Sequence, residues 1–204
     1  QHPDTMRFVR DCESWFGKTV EVWQSPLKSV ENACRMASYI RAAGGRGRAC
    51  TLRLKRRVRK EWEQDHPGRH VYIWGMDASE TQRADNLLRT MPEFDHRFPL
   101  IEHRIGKAEA HEIMMASGIK RPAMYAMGYH NNNCIGCVSG GMGYWNKIRV
   151  DFPLVFAARA ALERKIGFSI LKEGVWLDEL DPERGRHEGP ICDDCGIMCE
   201  LMKL

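Results

Sequence analysis

The sequence predicts an α/β fold, in which a parallel sheet carries helices on both faces and a loop-rich, Cys-containing C-terminal segment follows. Short β-branched or aromatic runs alternate with longer stretches of helical periodicity, which is the order that a parallel sheet requires. The length of 204 residues is enough for one α/β domain with a sizeable core. Eight cysteines are many for a chain of this size, and they point to a specialised segment beside that core.

The N-terminal elements are predicted from periodicity and from their end signals. Residues 3–16 carry apolar side chains three and four positions apart, and Gly17 supplies the left-handed stop that ends many helices. Thr19–Trp23 alternates β-branched and other residues, which is typical of a strand. Ser29 is expected to cap a second helix that extends to Ala42.

A glycine-rich basic loop over residues 43–50 precedes the third predicted helix. Thr51 is expected to cap this helix, which extends over residues 52–62. The helix carries six cations: Arg53, Lys55, Arg56, Arg57, Arg59 and Lys60. A glycine loop that opens a basic helix offers free N–H groups and cations to an anion. The segment Arg46–Lys60 therefore predicts contact with a phosphate or sulfate group, or with tRNA or DNA, and a solvated basic face is the plain alternative.

The middle of the chain continues the alternation of strands and helices. His70–Trp74 is rich in β-forming residues, and Asp77 is expected to cap the next helix with Glu80 at the capping-box position. Phe98–Ile101 is predicted as another short strand. Further helices are predicted over residues 107–117 and 153–166. Ligands bind at the carboxyl ends of parallel strands, so the loops that follow these strands are expected to line a site.

The overall composition bounds the compartment and the partners. The formal net charge of +4 is mild, and no apolar run is long enough to cross a membrane. No signal peptide is visible, so a cytoplasmic protein without a membrane partner is expected. Thiols stay reduced in that setting, and paired cysteines then indicate metal or redox chemistry more than disulfides. The sequence does not determine whether the protein forms a homo-oligomer.

Two cysteine groups are the most informative feature of the sequence. Cys134 and Cys137 form a Cys-x-x-Cys pair in a loop rich in glycine and asparagine, which can turn its amides toward the sulfurs. The second group lies near the C-terminus and consists of Cys192, Cys195 and Cys199. Four thiolates suit a [4Fe–4S] cluster or a tetrahedral Zn²⁺ equally well by count, whereas a redox pair leaves the second group unexplained. Two helical cysteines are expected to pack instead: Cys12 and Cys34.

Short segments spread over nearly the whole chain also carry a family resemblance. They are His2–Thr5, Ala49–Lys55, Tyr72–Arg83, Phe98–Ile101, Gly128–Cys137 and Asp194–Met198. In this order they resemble the hPeT segment, the cysteine-led basic helix, hxGxRxxES..R, xPLidW, GYxSIGCxxC and ECGIH of the phosphoadenosine phosphosulfate (PAPS) reductase family. That family belongs to the PP-loop, or adenine nucleotide α-hydrolase-like, superfamily. The version in this chain looks closest to phage-encoded or uncharacterised members.

This resemblance implies a nucleotide-dependent enzyme of sulfur chemistry, active in sulfonucleotide reduction or in ATP-dependent sulfur transfer. It implies a Rossmann-like nucleotide-binding domain over residues 1–127 and a Cys-rich, metal- or cluster-binding region over residues 128–204 that packs on it. The expected substrate is ATP or a sulfated adenine nucleotide. Its phosphate or sulfate charge is expected on Arg53, Lys55 and Arg83.

The sequence departs from the family pattern in ways that bear on the site. The family's phosphate loop, SGGxDS, is expected upstream of His2 and is absent from the chain. Ala49-Cys50 supplies only half of the Cys-Cys pair that helps to hold the cluster in related reductases. A rearranged cluster is therefore expected, iron–sulfur rather than zinc. Its ligands are predicted as Cys134, Cys137, Cys195 and Cys199, with Cys50 and Cys192 in reserve.

Cys195 has a second predicted role, and a different class of function competes with catalysis. Cys195 matches the family's sulfur nucleophile, so a ligand role and a catalytic role are in conflict at this residue. The competing hypothesis is a non-catalytic module of the same fold, stapled by zinc, that binds nucleic acid or protein. The missing phosphate loop favours that module, whereas the order of the motifs favours the enzyme.

Overall fold

A computed structural model describes residues 1–41, 47–171 and 174–186 as a mixed helix-and-strand protein. Within these residues the chain divides into two compact units. The first, which we call the cysteine unit, is drawn from Gln1–His2, Glu21–His66 and Asn133–Glu188. The second, which we call the sheet unit, is drawn from Pro3–Val20 and Pro67–Asn132. The division into nucleotide-binding and Cys-rich regions at residue 127 stays a prediction.

Helices make up most of the regular structure in the described residues. The α-helices are α1 Thr5–Phe16, α2 Val30–Ala37, α3 Ala49–Thr51, α4 Arg57–Asp65, α5 Thr81–Thr90, α6 Pro99–Glu102, α7 Lys107–Ala116, α8 Ala123–Ala126, α9 Met142–Asp151 and α10 Pro153–Ile166. A π-helical turn over Leu52–Arg56 joins α3 to α4, and a 3₁₀ turn covers Leu177–Glu179. The strands are β1 Val71–Ile73 and β2 Asp95–Arg97.

The sheet unit contains a parallel β–α–β arrangement. β1 pairs with β2 so that Tyr72 lies opposite His96, and α5 connects the two strands. The strand predicted over His70–Trp74 is therefore confirmed. The strand predicted over Phe98–Ile101 is wrong, because these residues enter α6 directly after β2. The Glu102 carboxylate accepts the Phe98 N–H at 3.0 Å and so closes a helical turn at that position.

The two faces of this sheet differ in burial. Trp74 packs against a core formed by Met76, Ala84 and Phe98, so the face toward α5 is covered. On the opposite face, 59% of Val71 and 73% of Ile73 are exposed. The parallel sheet is thus present, whereas helices on both of its faces stay a prediction.

The strand predicted over Thr19–Trp23 is wrong, because none of these residues lies in a strand. The Glu21 carboxylate accepts the indole N–H of Trp23 at 3.1 Å and that of Trp62 at 3.3 Å. The segment is held by these side-chain bonds, whereas a strand requires a neighbouring strand to pair its backbone. Alternation in the sequence cannot report whether such a neighbour exists.

The helices of the cysteine unit differ from prediction mainly at their ends. Ser29 caps α2 by accepting the Asn32 N–H at 3.1 Å, as predicted, but Ser38 adopts a left-handed conformation and ends the helix early. The basic helix begins at Ala49, so Thr51 lies inside it and the predicted cap at Thr51 is wrong. As a result, Cys50 lies in the first turn of that helix, at the start of the basic segment.

The last long helix, α10, has the predicted bounds. Gly167 ends it in a left-handed conformation, with φ of 75°. Glu163 on α10 is buried, and its carboxylate accepts the backbone N–H groups of Ile170 and Leu177, which fastens the following loop. Across the described residues, no helix is both long and apolar enough to cross a membrane.

Candidate cysteine centre

The loop that carries Cys134 and Cys137 is closed by one tyrosine. The Tyr144 hydroxyl accepts the Cys137 N–H at 2.9 Å and donates to the Cys134 carbonyl at 3.1 Å. Burial raises the pKa of Tyr144 to about 12, so the hydroxyl keeps the proton that it donates. Between the two cysteines, Gly136 turns the chain at φ of 67°, where a side chain would be strained. Both half-buried cysteines therefore project from a short, internally bonded turn.

Two arginines from other elements fix the outside of this loop. Arg159 on α10 is buried, donates to the Gly136 carbonyl at 3.2 Å and forms an ion pair with Glu31 on α2. Arg41 donates to the Val138 carbonyl at 3.1 Å. Backbone carbonyls inside a protein require a donor, and here charged side chains supply it. Positively charged side chains thus bind the backbone on each side of Cys137, at Gly136 and at Val138.

Two further thiols of the cysteine unit are Cys50, which interacts electrostatically with the loop, and Cys34, which interacts with Cys50. Burial raises the pKa of Cys50, and the negative charges of Cys137 and Cys134 raise it further. Burial, together with the charge of Cys50, raises the pKa of Cys34 to about 11. Cys34 is completely buried on α2, as expected of a packing residue. The reserve ligand Cys50 therefore lies within electrostatic range of the predicted pair Cys134 and Cys137.

Thiols are suitable ligands for a cluster or a zinc ion, but the described residues do not supply a complete set of ligands. Cys50, Cys134 and Cys137 are half-buried thiols of one unit, which are the donors that both groups use. Among residues 1–41, 47–171 and 174–186, no three His, Cys, Asp or Glu side chains are grouped so that they could hold a metal ion. The remaining predicted ligands lie outside the described residues: Cys192, Cys195 and Cys199.

The residues predicted to bind the nucleotide belong to different units. Arg53 and Lys55 lie in the π-helical turn after Cys50, where Lys55 is exposed. Arg83 lies on α5 in the sheet unit and forms an exposed ion pair with Glu80 at 2.6 Å. Arg46, at the start of the predicted basic segment, lies outside the described residues. Arg53 and Lys55 thus lie in the helical turn that follows Cys50 in the sequence. That the three predicted residues form one nucleotide site stays a prediction.

Part of the basic segment is neutralised within the helix itself. Arg57 pairs with Glu61 at 2.7 Å, and Arg59 pairs with Glu63 at 3.1 Å. Three exposed cations form no ion pair among the described residues: Lys55, Arg56 and Lys60. These three are the part of the segment that could meet an anionic partner.

A cavity of about 330 Å³ lies elsewhere in the cysteine unit, between α9 and residues 182–185. Its wall includes Lys147 and Asp151, which form an ion pair at 2.9 Å, and Asn146, which donates to the carbonyls of Asp181 and Arg184. None of the predicted site residues lines this cavity.

Sequence reasoning missed the residues that hold the cysteine loop. Arg159 left a signal, because it lies four residues after Val155 and three before Leu162, on the apolar face of α10. An arginine on such a face indicates a buried partner. Tyr144 and Arg41 left no comparable signal, because their partners are backbone groups that periodicity does not report.

Comparison with protein-family models finds no matching family, and searches of curated proteins and of solved structures find no match either.

Proposed function

We propose that this chain is a PAPS reductase-like, nucleotide-dependent enzyme of sulfur chemistry that holds a [4Fe–4S] cluster on cysteines. The observation that carries the proposal is that Cys50, at the start of the basic helix, lies within electrostatic range of Cys134 and Cys137. The family resemblance requires a cysteine at that position to join a Cys-x-x-Cys loop as a ligand. Nothing in the local sequence around Cys50 demands that the two segments lie near each other, so this placement supports the proposal.

Cys50 also relieves the conflict at Cys195. Without a cluster, the described residues hold no group of three such ligands. If Cys50 joins Cys134 and Cys137 as a ligand when a cluster binds, one further thiol from the C-terminal group completes a set of four, and Cys199 is proposed to supply it. Cys195 is then free to act as the nucleophile. The proposed ligand set is therefore Cys50, Cys134, Cys137 and Cys199, which changes the predicted set by exchanging Cys195 for Cys50.

The proposed substrate is ATP or a sulfated adenine nucleotide, bound at the carboxyl ends of a Rossmann-like parallel sheet with helices on both faces. The β1–α5–β2 arrangement supports this fold, because such crossovers are its repeating unit. Arg53 and Lys55 are proposed to neutralise the phosphate or sulfate charge, and the same role for Arg83 stays a prediction. A bound cluster would supply an iron centre whose potential depends on its charge, hydrogen bonds and exposure.

In the reductase reaction, the Cys195 thiolate attacks the sulfur of the sulfated nucleotide. An S–S bond forms as the bond between sulfur and the bridging phosphate oxygen breaks, and the adenine nucleotide leaves with that oxygen. In this proposal, Arg53 and Lys55 stabilise the thiolate of Cys195 and the negative charge that develops on the leaving group. In ATP-dependent sulfur transfer, the same cations would instead bind the triphosphate or the phosphates of a nucleic-acid substrate.

Cysteine variants purified without oxygen test this proposal. Cys50→Ser and Cys137→Ser should each lose the broad absorbance near ~400 nm and most of the bound iron, because each removes a thiolate ligand. Cys12→Ser, in the sheet unit, is the matched control and should retain both. Full iron content in Cys50→Ser would overturn the ligand set.

A second function is favoured by the exposed cations Lys55, Arg56 and Lys60: a zinc-stapled module that binds nucleic acid. Binding through phosphate contacts weakens steeply with salt, because neutralised phosphates release counterions. Colourless, zinc-loaded protein whose binding to tRNA or DNA is salt-dependent and indifferent to ATP would establish this module in place of the enzyme.

A further inference from the structure

Two arginines of the cysteine unit face each other, and no carboxylate of residues 1–41, 47–171 and 174–186 forms an ion pair with either. Arg41 and Arg48 are partners in an isolated antiparallel bridge, and the Ala49 N–H donates to the Ile40 carbonyl at 3.1 Å beside it. Directly opposed residues of an antiparallel pair place their side chains on the same face. Like charges in that arrangement repel each other, so this pair is unfavourable unless something compensates it.

Both guanidinium groups also have an unmet hydrogen-bond donor. The Nε atoms of Arg41 and Arg48 are buried, and neither has an acceptor in the part of the chain that the structure describes. Arg41 uses one terminal nitrogen to hold the Val138 carbonyl. Neither arginine forms a salt bridge with a carboxylate in the part of the chain that the structure describes. Burial and the charge of Arg48 lower the pKa of Arg41, as expected where positive charges meet without compensation.

We propose that Arg41 and Arg48 bind a tetrahedral oxyanion of the sulfate or phosphate class beside Cys137. A guanidinium offers several N–H donors in a planar fork that matches the oxygens of such an anion. Two forks on one face can share its oxygens, and the anion neutralises both positive charges at once. The site lies beside the cysteine loop because Arg41 bonds the residue after Cys137 and senses the charge of Cys137 itself.

The inference needs no metal, because the unmet donors belong to the protein chain alone. It also goes beyond the proposed enzyme, whose predicted anion-binding residues are Arg53, Lys55 and Arg83. Loss of anion binding by Arg41 and Arg48 does not imply loss of the proposed enzyme activity, and the reverse also holds. A protein without iron that binds sulfate through Arg48 would contradict the cluster and leave this site intact.

Binding of radiolabelled sulfate to the full chain, measured by equilibrium dialysis at constant ionic strength in chloride, tests the site. Arg48→Gln is the informative variant, because Arg48 holds no described backbone group whose loss would disturb the loop. We expect it to bind sulfate about tenfold more weakly or worse, since a charge-assisted donor is lost. Arg48→Lys keeps the charge without the fork and should recover only part of the affinity. Arg10→Gln, an exposed arginine on α1, is the matched control and should bind like the parent.

Thermal unfolding separates anion binding from a purely structural role. In chloride, Arg48→Gln should unfold at or above the parent temperature, because one of two repelling charges is gone. Added sulfate or phosphate should raise the unfolding temperature of the parent and of Arg10→Gln, but not that of Arg48→Gln. Equal responses of all three proteins, or loss of stability in chloride by Arg48→Gln, would overturn the proposal.

The source of the oxyanion is identified by competition. If adenosine 5′-phosphosulfate or ATP displaces labelled sulfate from the parent, the site holds a group carried by the nucleotide. If sulfate stays bound beside the nucleotide, the site holds the free oxyanion. Both outcomes require the arginine pair, and absence of saturable sulfate or phosphate binding by the parent contradicts it.

Discussion

The cysteine loop and the two-stranded sheet use their polar groups in opposite ways. In the sheet, the Trp74 indole donates to Nδ1 of His96 at 3.0 Å, and Nε2 of His96 bonds the Met91 carbonyl at 2.8 Å. These hydrogen bonds run from Trp74 through His96 to the backbone, and each nitrogen of the two rings has a partner. Around the cysteine loop, by contrast, the buried Nε atoms of Arg41 and Arg48 have no partner among the described residues.

This contrast separates a closed structural network from the proposed anion site. A closed network of buried polar groups stabilises one packing, and a buried donor without an acceptor costs free energy unless a ligand satisfies it. The half-buried thiols of the same unit are the donors proposed for a cluster. We therefore expect changes around the loop to alter ligand binding and stability together, and changes in the sheet to alter stability alone.

The largest effect should come from the buried arginine that holds the loop. Arg159→Met leaves Glu31 without its ion-pair partner and the Gly136 carbonyl without its donor. The free energy of unfolding should fall by about 3 kcal/mol, the scale for breaking a buried pair. Urea unfolding measures the loss. Arg164→Met on the same helix removes an exposed pair with Asp178 and should cost only a small fraction of it; equal losses would contradict the account.

A glycine comparison isolates the packing of the loop against α10. A Cβ at Gly136 would lie 2.6 Å from Cγ1 of Val155, in addition to the strain of its positive φ. Gly167 has a similar φ with open space around it. Gly136→Ala should therefore lower the free energy of unfolding by about 1–3 kcal/mol more than Gly167→Ala, through overpacking. Similar losses would mean that the loop does not press on α10.

Removal of the tyrosine hydroxyl tests the inner closure of the loop. Tyr144→Phe removes the hydroxyl that the Cys137 N–H and the Cys134 carbonyl share as a hydrogen-bond partner. We expect a loss of about 1–3 kcal/mol in stability and faster amide exchange at Cys137. Tyr39→Phe, whose hydroxyl has no described bond, is the control. Unchanged exchange at Cys137 in Tyr144→Phe would show that the hydroxyl does not close the loop.

The smallest effect is expected at the edge of the sheet, and it should depend on pH. Hydrogen bonds from Arg97, and then from the Phe98 N–H, lower the pKa of the exposed Glu102 to about 2. A carboxyl whose folded pKa is depressed stabilises the protein above its unfolded pKa of about 4.3, and this contribution is lost as the pH falls. The stability difference between the parent and Glu102→Gln should therefore vanish as the pH falls to about 2. It should also shrink in high salt, and a difference that persists at low pH would contradict the assignment.

The sequence predicted well those elements whose signals are local. The helix over residues 153–166 and the strand within His70–Trp74 were correct because periodicity, β-branching and end signals agree there. The Ser29 cap was correct for the same reason, since its hydrogen bond closes within three residues. Local chemistry and the fold give the same answer at these positions.

The remaining features depend on partners that are distant in sequence. Trp15 and Phe16 lie on an apolar stripe of α1 but are half exposed, because a stripe does not show what covers it. The approach of Cys50 to the loop at Cys134 depends on the path of the whole unit. The opposed pair Arg41 and Arg48 forms across a chain reversal and contradicts the usual avoidance of like charges, so no sequence pattern could indicate it.

The content of iron and acid-labile sulfide in the full chain, purified without oxygen, decides whether the cysteines hold a cluster. We expect about four of each per chain and a broad absorbance near ~400 nm, and we expect Cys50→Ser to lose the iron, the sulfide and the absorbance. A colourless protein that holds one zinc per chain would contradict it.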